Sequence, residues 1–95
     1  MSLEFEWDPR KAAVNRRNHG VTFEEATTAF GDHLAAIFPD DVHSIGEVRE
    51  IIVGHSDRGR LLLVSFTERA SRIRIISARR ATKRERKDYE EEPIP

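Results

Sequence analysis

The chain has 95 residues, 38% hydrophobic and 35% charged, which suffices for one modest core and is too short for two. It has no cysteine, which excludes a disulfide scaffold, a thiol nucleophile and a thiolate zinc site, and no apolar run approaches the ~18 residues of a membrane span. The net charge of -1 looks neutral but splits by position into -6 over residues 1–57, +9 over 58–87 and -4 over 88–95, so a basic segment is masked by acidic flanks.

The first residues lack the basic end and apolar stretch of a secretory signal, so a cytoplasmic protein without membrane contact is expected. Leu3–Trp7 alternates apolar and acidic residues, as a half-buried strand does. Asp8-Pro9 reads as an N-cap followed by proline at the first helical position, and Gly20 sits where a left-handed C-cap closes that helix. Its apolar content is thin, only Ala12, Ala13 and Val14. Thr22-Phe23-Glu24-Glu25 is a capping box, with Val21 placed to staple against Ala26. Phe23, Ala26, Thr27 and Phe30 share one face of this second helix, and Gly31-Asp32 ends it.

Leu34–Phe38 is a short apolar strand stopped by Pro39-Asp40-Asp41. Residues 40–48 form an irregular polar segment holding His43 and Glu47. Arg49–His55, Arg60–Thr67 and Arg72–Arg79 follow as three strands with short turns between them, hence an antiparallel meander. The middle one is almost continuously apolar, which predicts a central position. Thr82-Lys83-Arg84-Glu85 is a second capping box and opens a helix to about Glu91. Only Ala81 and Tyr89 could pack there, so this helix is poorly anchored or touches a partner. The expected class is α+β: two N-terminal helices, a twisted antiparallel sheet and a C-terminal helix, in a single domain over residues 1–95 with an acidic tail from 89.

Six of the ten residues from Ala78 to Lys87 are Lys or Arg, and Arg69, Arg72 and Arg74 lie on or beside the same hairpin. The planar guanidinium matches phosphate oxygens two at a time. The alternative is a solvated helix balanced by Asp88 and Glu90–Glu92. Consecutive strand residues face opposite ways, so Arg79 and Arg80 share a site only if the strand ends or bulges there. Among the histidines, His19 reads as a capping residue, and His33 and His55 flank apolar strands as structural groups. His43 is open to either a structural or a chemical role. Their spacing forms no metal motif, and no Walker A, GxGxxG or GxSxG motif is present, so no cofactor is expected. What remains is a basic surface beside a few proton-transfer groups: Glu47, His43, Lys83 and Tyr89. That suits metal-free RNA cleavage, in which the 2′-hydroxyl attacks the adjacent phosphate and cations balance the developing charge. Lys83 or Tyr89 would need a lowered pKa to act as base.

Trp7-Asp8-Pro9, Lys11, Asn15, His19-Gly20-Val21 and Phe23-Glu24-Glu25-Ala26 resemble the start of BrnT-type toxins. The resemblance continues through Gly59-Arg60, Thr67-Glu68-Arg69, Arg74-Ile75-Ile76-Ser77-Ala78-Arg79-Arg80-Ala81, Glu85-Arg86 and Tyr89, nearly the whole chain. It implies a RelE-like ribonuclease that arrests translation as the toxin of a type II toxin–antitoxin pair. It also implies a BrnA-type antitoxin, which neutralises the toxin and carries it to operator DNA, in a homodimer or a higher toxin–antitoxin assembly. By match to the family pattern Arg79 comes first among site residues. Arg69 and the pair Glu47 and Arg49 come next, then Arg80. His43 and Tyr89 complete the catalytic candidates, and Arg49, Arg74, Lys83 and Arg84 are the RNA-binding ones. Two other functions fit the same residues: a nucleic-acid-binding module whose affinity falls steeply with salt, and a partner-binding protein using an exposed sheet edge.

Overall fold

The structure, a computed structural model, describes residues 3–91; residues 92–95 of the expected acidic tail lie outside them. The chain runs β1 (Glu4–Glu6), α1 (Pro9–His19), α2 (Phe23–Thr28), β2 (Ala36–Pro39), β3 (Glu50–His55), β4 (Leu61–Arg69), β5 (Arg72–Arg80) and α3 (Lys83–Glu91). Single 3-10 turns at Ala29–Gly31 and Asp41–His43 bracket β2. The five strands form one sheet in the order β1-β5-β4-β3-β2, with β4 at the centre as its apolar sequence requires. The meander β3-β4-β5 is antiparallel, but the sheet is mixed rather than wholly antiparallel, because β1 pairs parallel with β5. The direction of β1 depends on which edge it joins, and its own alternation carries no such information.

The local signals act as their chemistry requires. The Asp8 carboxylate accepts from the Arg10 N–H at 2.8 Å, and Gly20 takes φ 67° at the C-cap of α1. Thr22 Oγ1 accepts from the Glu25 N–H at 3.0 Å at the start of α2. Both helices pack on one face of the sheet. Val21, Phe23, Ala26 and Ala29 meet Ile52, Leu62, Val64, Phe66, Ile75 and Ala78 in a single cluster. Phe30 links the two layers edge to face, 5.1 Å from both Phe5 and Phe66.

Two polar devices hold this layer. The only buried residue of α1 is Asn15. Its Nδ2 donates to Val21 O at 3.0 Å and Ala78 O at 2.8 Å, and its Oδ1 accepts from Ala78 N–H at 3.0 Å. β1 covers β5 only as far as Arg74, so this amide serves the strand edge beyond the point where β1 stops. An amide thus replaces the apolar stripe that α1 lacks. The second device is Glu25, which the capping-box pattern would send back to Thr22. Its carboxylate turns inward to accept from Arg60 Nη2 and from Ser56 Oγ and Arg60 Nε, the last two at 2.7 and 2.8 Å. Arg60 Nη2 also donates to Gly20 O at 3.1 Å, tying the end of α1 to the β3–β4 turn.

Candidate functional site

The other face of the sheet is built by parity and one irregularity. In β4, Leu62, Val64 and Phe66 face the helices, so Leu61, Leu63, Ser65, Thr67 and Arg69 face away. In β5, the register jumps from Ser65↔Ser77 to Phe66↔Ile75, which makes Ile76 the extra residue of a β-bulge. Ile75 and Ala78 both reach the core for this reason. The bulge gives Arg72, Arg74, Ser77 and Arg79 a common open face. Arg80 follows in unbroken strand, is exposed, and lies on the helix side. The structure therefore separates Arg80 from Arg79.

A concavity of about 230 Å³ opens on this face, lined by Asp40, His43, Arg49, Ile51, Ser65, Ile76 and Ser77. It brings two sequence-nominated residues, His43 and Arg49, together. Glu47 joins them from the rim, 3.4 Å from Arg49 Nε and 3.4 Å from Arg69 Nη2. Arg74, across from Thr67, pairs with Glu6 at 2.9 Å, and Arg72 faces Glu4 at 3.7 Å. Arg79 stands two residues beyond Ser77, about 7 Å along the strand. A wider hollow of about 450 Å³ lies between α1 and α2 and contains none of the nominated residues.

Arg79 is held by the second capping box. Its Nη1 and Nη2 donate to Glu85 Oε1 and Oε2 at 2.8 and 2.9 Å. Glu85 Oε1 also accepts from the Thr82 N–H at 2.9 Å, while Thr82 Oγ1 accepts from the Glu85 N–H at 3.1 Å. The Arg79 guanidinium, with the Thr82 N–H next in strength, holds the Glu85 carboxyl at about 2. Reciprocally, Glu85 raises Arg79 above its ordinary value.

The family follows from a match that covers most of the chain. Residues 7–85 match the family described as "Ribonuclease toxin, BrnT, of type II toxin-antitoxin system". The chain belongs to the BrnT family of ribonuclease toxins. Membership implies an antitoxin partner. The crystal structure of the Brucella abortus ribonuclease toxin, BrnT, shares the fold with a TM-score of 0.67 at 22% identity, covering 86% of this chain and 100% of that one. No curated protein matches the sequence. Among the described residues no helix is long and apolar enough to cross a membrane.

The remaining nominated residues of this BrnT-family chain sit on or under α3. Lys83 and Arg84 are exposed in its first turn. Tyr89 anchors the helix: its hydroxyl donates to Leu34 O at 2.6 Å and its ring meets His55 edge to face at 6.0 Å. Burial, then the Asp32 carboxylate, push the Tyr89 hydroxyl above its usual 10, opposite to what a base needs. Asp32 itself is held low, first by the backbone N–H groups of His55 and Leu34. Sequence reasoning missed Asp40. Both its oxygens lie 3.0 Å from His43 Nδ1, and the Asp-x-x-His spacing was the available signal.

Proposed function

We propose that this chain is a single toxin domain that cuts RNA on the open sheet face without a metal ion and so arrests translation in the cytoplasm. The observation that carries this reading is the set of arginines around the concavity: Arg49, Arg69, Arg74 and Arg79, with His43 and Glu47 beside them. In this reading the guanidiniums grip phosphates and balance the charge that grows as the 2′-hydroxyl attacks. The products are a 2′,3′-cyclic phosphate and a 5′-hydroxyl end. Lys83 and Arg84 extend the phosphate-binding surface along α3, and Tyr89 keeps that helix in place. Among the described residues no group of three His, Asp or Glu side chains is arranged to hold a metal ion.

A BrnA-type antitoxin would cover the same face and bring the complex to operator DNA. Leu34, Ile37, Phe38, Val42, Ile45 and Val48 are exposed on and beside the β2 edge, and this apolar strip next to the concavity suits its attachment. The deciding experiment incubates purified protein with single-stranded and ribosome-bound RNA, with and without chelator. Cleavage should persist in chelator, and Arg79→Ala should remain folded and lose most activity. Loss of cleavage on chelation, or full activity of Arg79→Ala, overturns the reading.

One observation favours a second reading, a module that binds RNA without cutting it. The open-face arginines are already paired: Arg49 and Arg69 with Glu47, Arg72 with Glu4, Arg74 with Glu6, Arg79 with Glu85. Product in excess of enzyme selects the nuclease; retention without turnover selects the binder.

A further inference from the structure

We propose that His43 takes the 2′-hydroxyl proton through Nε2, and that Asp40 is the positioning residue that makes this nitrogen the basic one. The inference rests on the open face being the RNA site and names the base within it.

The geometry decides the tautomer. An ionised carboxylate can only accept hydrogen bonds. Asp40 places both oxygens 3.0 Å from His43 Nδ1, so the ring proton sits on Nδ1 and the lone pair on Nε2. No hydrogen-bond partner engages Nε2 among the described residues, and the ring lines the concavity with Arg49, Ser65 and Ser77. The Asp40 side chain is 12% exposed and that of His43 65%, which fits a sheltered orienting group behind an accessible reacting one.

Asp40 is itself fixed. Its N–H donates to Arg49 O at 2.9 Å, and its C=O accepts from Ser44 Oγ at 2.7 Å. Ser44 Oγ in turn accepts from the Arg49 N–H at 2.9 Å. One knot of hydrogen bonds therefore sets the imidazole and the Arg49 backbone together. The other candidates are otherwise engaged. Glu47 has an arginine on each oxygen, Tyr89 donates to Leu34 O, and Lys83 is on α3 outside the concavity.

In the step, Nε2 accepts the 2′-hydroxyl proton as the O2′–P bond forms. The P–O5′ bond breaks, O5′ takes a proton from water, and His43 later returns its own to solvent. No co-reactant is consumed.

The test uses the full chain with an RNA oligonucleotide, together with nitrogen-15 spectra of the histidine rings. His43 should carry its proton on Nδ1 in the wild type and shift toward Nε2–H in Asp40→Ala. His43→Gln should lose at least ~100-fold in cleavage rate while RNA affinity is kept. Asp40→Ala should lose about 10-fold in kcat with KM unchanged. Asp40→Glu, which keeps an acceptor-only carboxylate, should recover part of it, while Asp40→Asn, whose amide can donate to Nδ1 and favour the Nε2–H tautomer, should not. Cleavage by His43→Gln at the wild-type rate, or a wild-type ring protonated on Nε2, overturns the proposal. Wild-type protein that cuts no RNA removes the functional reading and the base with it; the ring spectra then still decide whether Asp40 sets the tautomer.

Discussion

Arg74 and Arg79 are an odd number of positions apart on β5 and still share the open face, because the extra residue Ile76 resets the alternation between them. In a regular strand they would face opposite sides. The bulge therefore assembles the arginine surface and leaves Arg80 on the helix side.

This parity predicts unequal effects from neighbouring substitutions. Arg79→Ala should reduce RNA cleavage at least ~100-fold, the scale of losing one charge-stabilising donor. Arg80→Ala should stay within about threefold. Single-turnover rates on one oligonucleotide compare them, and equal losses would show that the strand face does not define the site.

Glu85 predicts an acid-sensitive α3. Its carboxyl lies at about 2 in the fold against an ordinary 4.5. A lowered folded value means that the contribution is complete above 4.5 and is lost as pH falls from there toward 2. Half-exposed as the pair is, its worth is modest, about 1 kcal/mol. Urea midpoints at pH 7 should be higher for wild type than for Glu85→Gln, and the gap should narrow at pH 3. A gap that is constant with pH would contradict the clamp.

The Glu25–Arg60 pair predicts a structural loss away from the site. Glu25 is buried but Arg60 is only half-buried, so removing the carboxylate strands a partly solvated cation, and Glu25→Ala should lower stability by about 2–3 kcal/mol, less than for a fully buried pair. Arg60→Lys should also weaken the fold, since an ammonium cannot serve both carboxylate oxygens and Gly20 O together. Equilibrium unfolding measures both, and a Lys variant as stable as wild type would refute the two-pronged contact.

Asn15→Ala leaves Ala78 N–H, Ala78 O and Val21 O without their side-chain partner. Each abandoned buried group costs about 1–3 kcal/mol, so a loss near 3 kcal/mol is expected after partial relaxation. Amide exchange at Ala78 should accelerate with it. Protection at Ala78 equal to the wild type would mean that another group supports that edge.

Much of the fold was legible because its signals are local. Asp8-Pro9, Gly20 and Thr22 act within one turn of themselves, and the apolar run of β4 fixes its place between neighbours. Glu25 and Asn15 were not legible in their true roles. Each satisfies groups far along the chain, at Arg60 and Ala78, and only the tertiary arrangement brings those together. The bulge at Ile76 leaves no mark in the alternation of Ile75-Ile76-Ser77, so the choice between Arg79 and Arg80 needed coordinates. The Asp40–His43 contact was within reach of spacing alone, but Asp40 reads first as part of the turn that stops β2.

The carboxylates opposite the open-face arginines also change how RNA would be held. Free surface cations gather mobile anions from the buffer, and nucleic acid has a condensed cation layer of its own; binding that releases such ions falls steeply with added salt, by about 0.7 in logarithmic slope for each phosphate neutralised on a single strand. Here the counter-charge is tethered. A phosphate arriving at Arg74 or Arg79 exchanges with Glu6 or Glu85, which stay attached to the protein. The entropy gained per contact is smaller, and affinity should depend on salt less than the number of arginines suggests. A near-neutral chain can then select its ligand by fit to the concavity, with little pull on nucleic acid in general.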